Sequence, residues 1–370
     1  MSHTNTAITH LDAIEANLRA VRTRVGARKI LAAVKANAYG HGATHVAKMI
    51  EERGAADWLG VAMVDEGVEL RRAGISLPIL KLSHARGADV QLAMENGIVL
   101  PVVDVQSVRE YSGAAEALGM VAEVHLKVDT GMRRIGCEPE QARMLAEMIV
   151  ADENLVLTGI FSHMPVSDTP SQDGFSRAQI ALFARTAAAV EELTGPITKH
   201  LANSGAILAH PDAWFDMVRP GIMLYGAYPD PATPRTVPLV AALTWRAEVS
   251  FIKRIHAGET VSYGRTWEAK EDTWIATVPV GYGDGFSRLN SNRGRVLIGG
   301  RSYPIAGRVC MDQFMVDLGP TSDVRVGDDA ILIGTSESDQ ITTTEIAQLM
   351  GTIPYEVTCG IQSRVERAWE

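Results

Sequence analysis

The stretch "LAAVKANAYGHGATHVAKMI", residues 31–50, decides how the chain is read. An apolar run ends in an ammonium group, Lys35. Small residues, Tyr39 and two glycines follow, and helical spacing then sets in at Val46 and Ile50. A merely structural strand ends in a turn and solvent, whereas here the backbone thins directly behind a lysine. Similar β-branched runs recur along the first 226 residues. They are "ILAAVKAN" from Ile30, "WLGVAM" from Trp58, "PILKLS" from Pro78, "IVLPVVD" from Ile98, "AEVHLKVDT" from Ala122, "LVLTGIFSHM" from Leu155, "ITKHLANS" from Ile197 and "FDMVRPGIMLYG" from Phe215. The segments between them mostly carry helical spacing, as at Met144, Leu145 and Met148. Near-continuous apolar strands separated by amphipathic helices indicate a parallel sheet. Eight such units in about 220 residues predict a (β/α)8 TIM-type barrel over residues 10–230, with an open doubly wound sheet as the alternative.

The texture changes after "GAYPDPATPRTVP", residues 226–238, a Pro-rich stretch that reads as a linker. From Leu243 the runs alternate more strictly, as in "LTWRAEVSFIKRI" and "WIATVPVGYG". They predict a mostly-β domain over residues 231–370, with residues 1–9 a candidate to join it. A single helix is expected there, "TTTEIAQLMG", opened by a threonine cap and closed by Gly351.

Composition narrows the function classes. The net charge of -9 comes with no long Lys/Arg cluster, which argues against nucleic acid or an anionic membrane as partner. The first 25 residues hold no apolar core of signal-peptide type, and no window reaches the ~20 apolar residues of a membrane span. Cys137, Cys310 and Cys359 are odd in number and far apart, so a reducing cytoplasm is expected and a disulfide framework is not. His41, His45 and His210 have neither metal-ligand spacing nor acidic company, and "GYGDG" lacks the third glycine and the helix of a dinucleotide fingerprint.

In a barrel of this type chemistry gathers at the C-terminal strand ends. The first end supplies Lys35 and Tyr39, the fifth Lys127, Asp129 and Arg134, and the sixth His163. The seventh supplies His200, Asn203 and Ser204, and the eighth Arg219 and Gly221. Any one of these alone is more often a solvated end or a satisfied core group; five polar ends in one barrel are not. The loops after strands seven and eight are the usual phosphate site. "ANSGA" places Ser204 and a glycine at a helix start, and "RPG" offers backbone N–H groups at Gly221 and Ile222, which together cradle a phosphate. A phosphorylated aldehyde held there reaches Lys35 across the barrel mouth. Lys35 therefore reads as a Schiff-base lysine and the cofactor as pyridoxal 5'-phosphate.

"AAVKANAYGHG" resembles the cofactor-lysine motif of the alanine racemase family. The resemblance runs on through "LKVDTGMRRIG", "HLANSGA", "RPGIMLYG", "SYGRTW", "GYGDGFSR", "GRVCMDQ" and "IPYEV". It implies a cytoplasmic homodimer with shared sites, in which an amino-acid substrate meets the cofactor in the barrel mouth and the partner's β domain completes the site. Lys35 would hold the cofactor and act as one base, with Tyr263 of the partner subunit the second base on the opposite face. Arg219 would bond the pyridine nitrogen, and His163 would lie near the ring and link Tyr263 to Arg219. Tyr39, Asn203, Ser204, Gly221, Ile222 and Tyr355 would serve the cofactor and its phosphate. Arg134 and the backbone N–H of the partner subunit's Met311 would bind the substrate carboxylate. Tyr282 would stand at the entrance, and Lys127 matches a position often carbamylated. A tyrosine ordinarily titrates near 10, so Tyr263 would need neighbouring positive charge, from His163 and Arg219, to act as a base.

The chain departs from the family pattern at Arg133, at "MPVSD" (164–168) and at Glu366. "MPVSD" borders the site and is expected to affect substrate range or the following helix. Three other readings stay open. One is a racemase of serine, lysine or arginine. Another is a related barrel-type amino-acid decarboxylase, disfavoured by "VRPG" where an "EPGR"-like stretch would stand. The third is a non-enzymatic cofactor binder, disfavoured by the second domain. The sequence leaves undecided whether the product serves D-alanine supply for peptidoglycan or alanine catabolism.

Overall fold

The computed structural model describes residues 5–337 and 339–370. Residues 1–4, candidates together with 5–9 for the β domain, lie outside the described residues. Contacts divide the chain into two compact units. One comprises Ile14–Tyr39 and Ala43–Val240; the other comprises residues 5–13, Gly40–Gly42 and Ala241–Glu370.

The first unit carries eight parallel strands where the apolar runs predict them. They are Lys29–Ala33, Trp58–Val61, Ile79–Lys81, Ile98–Val102, Ala122–Lys127, Leu155–Phe161, Thr198–His200 and Met217–Val218. Each of the first six pairs with the next, and the last returns to the first through Lys29 opposite Met217 and Ile30 opposite Val218. The remaining seam is bridged by two backbone hydrogen bonds. Asp216 N–H donates to the Lys199 carbonyl (3.0 Å), and Arg219 N–H donates to that of Ala202 (2.8 Å). The sheet is thus a nearly closed barrel, which sets aside the open alternative. Leu31, Leu80, Val99, Phe161 and Met217 pack together with little or no exposure, each contributing about 1.5–3 kcal/mol of burial. Helix Ala43–Glu52 buries Val46 and Ile50 as their spacing predicts. In helix Ala142–Val150 Leu145 is buried, but Met144 falls on the solvent side of the arc.

The Pro-rich stretch is not loose. Thr236 Oγ1 donates to the Leu208 carbonyl (2.7 Å) and Val240 N–H to Asn17 Oδ1 (2.8 Å), pinning it to the barrel unit.

The second unit is built on a ten-stranded sheet. Strand Leu243–Glu248 pairs antiparallel with Asn5–Thr9 and with Asp329–Ser336, and Asn5–Thr9 pairs in parallel with Glu366–Trp369. Glu366 meets the Thr6 hydroxyl there at 3.4 Å. Through the core Trp245 meets Phe286 edge-to-face (ring centroids 5.9 Å apart), and Phe286 stacks on Phe314 (5.0 Å). The expected helix spans Thr343–Met350. Thr342 Oγ1 accepts from Glu345 N–H (3.0 Å), and Gly351 closes the helix at φ 72. A second helix, Pro354–Cys359, was not expected from the sequence; six residues are too few to show a period. No helix among the described residues is long and apolar enough to cross a membrane.

Candidate active site

Lys35 opens a turn of the wrong hand. Ala36, Asn37, Ala38 and Tyr39 have φ of 52, 53, 54 and 54 with positive ψ, four consecutive non-glycine residues in the left-handed region. Each costs roughly 1–2 kcal/mol against the right-handed form, and Asn37 alone is of a type that tolerates it. The surroundings hold the turn: Ala38 N–H donates to the Val34 carbonyl (2.7 Å), Asn37 Oδ1 accepts from Ala43 N–H (2.8 Å), and the Tyr39 ring lies 5.0 Å from that of Tyr225. Strain of this kind persists where the surrounding structure over-determines it.

The turn delivers Tyr39 to the loops after strands seven and eight. A Cβ added to Gly221 would lie 2.6 Å from Tyr39 Oη and 3.8 Å from Ser204 Oγ. Gly221 is required for that close approach, since its φ of -119 is open to any residue. Ser204 begins helix Ser204–Ala209, and its Oγ accepts from Gly221 N–H at 2.9 Å. That N–H, expected to point at a phosphate, is here turned onto the serine. Asn203 does not face the cradle. Its Oδ1 caps the helix by accepting from Ala206 N–H (3.1 Å) and also accepts from Ser167 Oγ (2.6 Å), while its Nδ2 donates to the Met164 carbonyl (3.0 Å). Met164 and Ser167 of "MPVSD" thus hold the cap of helix Ser204–Ala209, which is not the next helix in the chain after them, Asp173–Thr194. Ile222 follows Gly221 and is buried.

Arg219, 5% exposed, directly follows strand eight. Nη1 donates to His200 Nδ1 (2.9 Å) and the His200 carbonyl (2.8 Å), and Nη2 donates to the carbonyls of Ser162 (2.6 Å) and Leu201 (3.1 Å). A guanidinium has five N–H donors; these bonds use the four on Nη1 and Nη2, leaving Nε–H as the donor for a ring nitrogen. Burial pushes its pKa down to about 9, still a cation at neutral pH. His200 passes the chain on: its Nε2 lies 2.9 Å from His125 Nδ1, and its ring stacks on Phe161. Burial holds both imidazoles below their usual pKa, His125 at about 3.

Lys127 Nζ donates to the Leu82 carbonyl (2.6 Å) and sits 5.0 Å above the Phe161 ring. Burial, then the charges of Arg219, Arg134 and Lys35, push its pKa down to about 7, with Asp129 opposing. His163 is held well below its usual pKa by burial and by the cations Arg219, Arg134, Lys127 and Lys35. It is a neutral imidazole, which corrects the expectation that it lends Tyr263 positive charge. Arg134 is exposed at the end of a loop organised by Asp129, whose carboxylate accepts from the N–H groups of Gly131, Arg133 and Arg134 at 2.8, 3.0 and 3.2 Å. Arg133 has φ 56 and its guanidinium binds Glu138 (2.7 and 2.8 Å) at the surface, so that departure stays out of the site.

In the other unit Tyr263, Met311 and Tyr282 are 71%, 52% and 42% exposed. Tyr263 and Met311 line one open cleft of about 390 Å³ with Cys310 and Asp312. Asp284 stands behind it, unremarked in the sequence except as part of "GYGDG". It accepts from Gly281 N–H (2.8 Å) and from Arg364 Nε (2.8 Å), and Arg364 Nη2 reaches Asp312 (2.7 Å). Tyr282 and Gly283 donate backbone N–H to the carbonyls of Cys310 (3.0 Å) and Met311 (2.8 Å). The tyrosine loop and the methionine loop are therefore one braced assembly. Tyr355 lies half-buried on helix Pro354–Cys359.

The barrel mouth fits a phosphorylated, anionic aldehyde. It joins a lysine, a small-residue cradle lined by two hydroxyls, and a cation group of Lys35, Lys127, Arg134 and Arg219 opposed by Asp129. This is the donor set of a barrel-type pyridoxal-phosphate enzyme.

Comparison with known proteins agrees. Residues 9–229 match the alanine racemase N-terminal domain and residues 242–369 the C-terminal domain. The alanine racemase of Cutibacterium acnes is 51% identical over 98% of this chain and 97% of its own length, and that of Chlorobaculum tepidum is 43% identical over 98% and 94%. The crystal structure of alanine racemase from D-cycloserine-producing Streptomyces lavendulae superposes with a TM-score of 0.94 at 37% identity, covering 100% of this chain and 98% of that one. The chain belongs to the alanine racemase family, a family of pyridoxal-phosphate-dependent isomerases.

Proposed function

We propose that this chain interconverts L-alanine and D-alanine as a cytoplasmic homodimer with shared active sites and pyridoxal phosphate bound through Lys35. The observation that carries the reading is the barrel mouth, where the Lys35 turn, the Tyr39–Ser204–Gly221 cradle and Arg219 belong to one compact unit. The cofactor, when bound, delocalises the electron pair left on the α-carbon as its proton departs. Lys35 Nζ takes or returns that proton on one face, and the hydroxyl of the partner subunit's Tyr263 does so on the other. Arg219 offers Nε–H to the ring nitrogen. As a cation it discourages ring protonation and so limits side reactions. Arg134 and the N–H of the partner subunit's Met311 orient the substrate carboxylate. Ser204, Tyr39 and the backbone of the loop that begins at Gly221 hold the phosphate. Neutral His163 serves as a hydrogen-bonding link.

The purified protein with pyridoxal phosphate is expected to produce D-alanine from L-alanine faster than the D-forms of serine, lysine or arginine, read by chiral chromatography. No D-enantiomer from any of the four overturns the reading, and carbon dioxide release moves the chain to the decarboxylases. Sharing of sites has its own test. Lys35→Ala and Tyr263→Phe are each inactive, but remixed subunits recover about a quarter of wild-type activity, because half the dimers then hold one intact site. No recovery places both bases in one subunit.

Lys127 is proposed to carry a carbamate. Its amine is substantially unprotonated at neutral pH because its pKa is about 7. The amine nitrogen attacks carbon dioxide, a proton leaves to solvent, and the resulting anion faces Arg134, Arg219 and Lys35. Protein equilibrated with 13C-bicarbonate at pH 7.5 is expected to show a carbamate resonance that Lys127→Ala lacks; the same resonance in that variant would refute the assignment.

A further inference from the structure

The left-handed turn after Lys35 is held from outside by a group that no motif singles out. Glu66 is the third residue of helix Val64–Arg72, after Met63 at the cap position. Its Oε2 accepts from the N–H groups of Ala62 (2.7 Å) and Met63 (3.0 Å), as a glutamate at that place commonly does. Its Oε1 leaves the helix and accepts from Ala36 N–H at 2.6 Å. Ala36 is the first left-handed residue. One carboxylate therefore joins the loop after strand two to the loop after strand one, at the residue next to Lys35. The far end of the turn is closed by Asn37 on Ala43 N–H.

We propose that Glu66 is a positioning residue, which through Ala36 N–H holds the left-handed turn that aims Lys35 and Tyr39 at the cofactor. The chemistry requires a carboxylate. All three groups facing it are donors, and a glutamine would turn an NH2 toward one side. Aspartate is one methylene too short to span both loops. The role rests on the reading of Lys35 as the cofactor lysine.

The test compares wild type, Glu66→Gln, and Glu66→Gln with Ala36→Gly, each also in a Met63→Asp background. The new aspartate accepts from the first-turn N–H groups and so holds the helix start, and the glutamine carbonyl oxygen still serves the N–H groups of Ala62 and residue 63, so the loss falls on Ala36. The first readout is amide hydrogen exchange of the peptide over 35–40 in the full-length protein without added cofactor. The second is the dissociation constant for pyridoxal phosphate. Glu66→Gln is expected to raise exchange at 36–39 and weaken cofactor binding, each about tenfold, the loss of one charge-assisted hydrogen bond. Ala36→Gly is expected to recover most of the binding, because glycine enters the left-handed region at no steric cost. Unchanged exchange in Glu66→Gln, or no recovery with glycine, overturns the proposal. Failure of the wild type to bind pyridoxal phosphate would instead sink the functional reading, and the exchange result would still judge Glu66.

Discussion

Lys35→Ala is expected to lower racemisation in both directions by on the order of 10⁴-fold or more, since it removes a base and the covalent anchor together. The variant should keep its fold: Lys35 is only half-buried, and the turn behind it is held by backbone groups and the side chains of Asn37 and Glu66. It should also stop the cofactor being fixed to the protein by borohydride, read as the mass of the peptide over 35–50. Its electrostatic effect is separate. Lys35 is one of the charges that keep His163 low, so His163 should titrate higher in the variant. Methylamine added in solution should restore a small part of the rate, because it replaces the base without the anchor. Reduction that still labels the protein at another lysine, with D-alanine still forming, would remove Lys35 from the mechanism.

Arg219→Glu is expected to act twice. The first effect is on stability. The wild-type guanidinium satisfies the carbonyls of His200, Ser162 and Leu201 and also His200 Nδ1. A carboxylate there faces three carbonyl oxygens with no proton to offer. Each unsatisfied buried group costs ~1–3 kcal/mol, so the loss should be several kcal/mol and plain in a thermal melt. The second effect is on partition. A carboxylate at the ring nitrogen favours the protonated ring and a stronger electron sink, so pyruvate formed by transamination should rise relative to D-alanine. Arg219→Lys separates the two, since it keeps a cation but loses the fork. It should destabilise without raising pyruvate. An unchanged pyruvate yield in Arg219→Glu would mean that the residue does not set the ring's protonation.

The barrel was legible because its strands are buried on both faces and read as continuous apolar runs. Lys35, Arg219 and Ser204 stood out because polar groups at strand ends are costly to bury without a purpose. What stayed hidden is what neighbours decide. Nothing in "KANAYG" marks four left-handed residues, for only Asn37 carries a local signal. "ANS" reads equally well as a ligand or a cap, and the bond from Ala206 N–H makes Asn203 a cap, steadied by Ser167 and Met164. His163 stands in a motif, but its charge depends on four cations brought in by three other strand ends and a loop. The brace of Asp284 and Arg364 joins residues 80 apart in the chain, a separation at which a single sequence shows no pairing.

The chain from Arg219 through His200 to His125 settles where hydrogen can travel. An arginine only donates, so His200 receives on Nδ1 and gives from Nε2, and His125 receives on Nδ1. The remaining proton of His125 then sits on Nε2, which is buried with no hydrogen-bond partner. The row of donors points inward and ends blind. A relay needs an acceptor at its last station, and this one has none. Among the described residues this row is therefore closed to proton traffic, and it serves to fix the tautomers of two buried imidazoles and the orientation of Arg219.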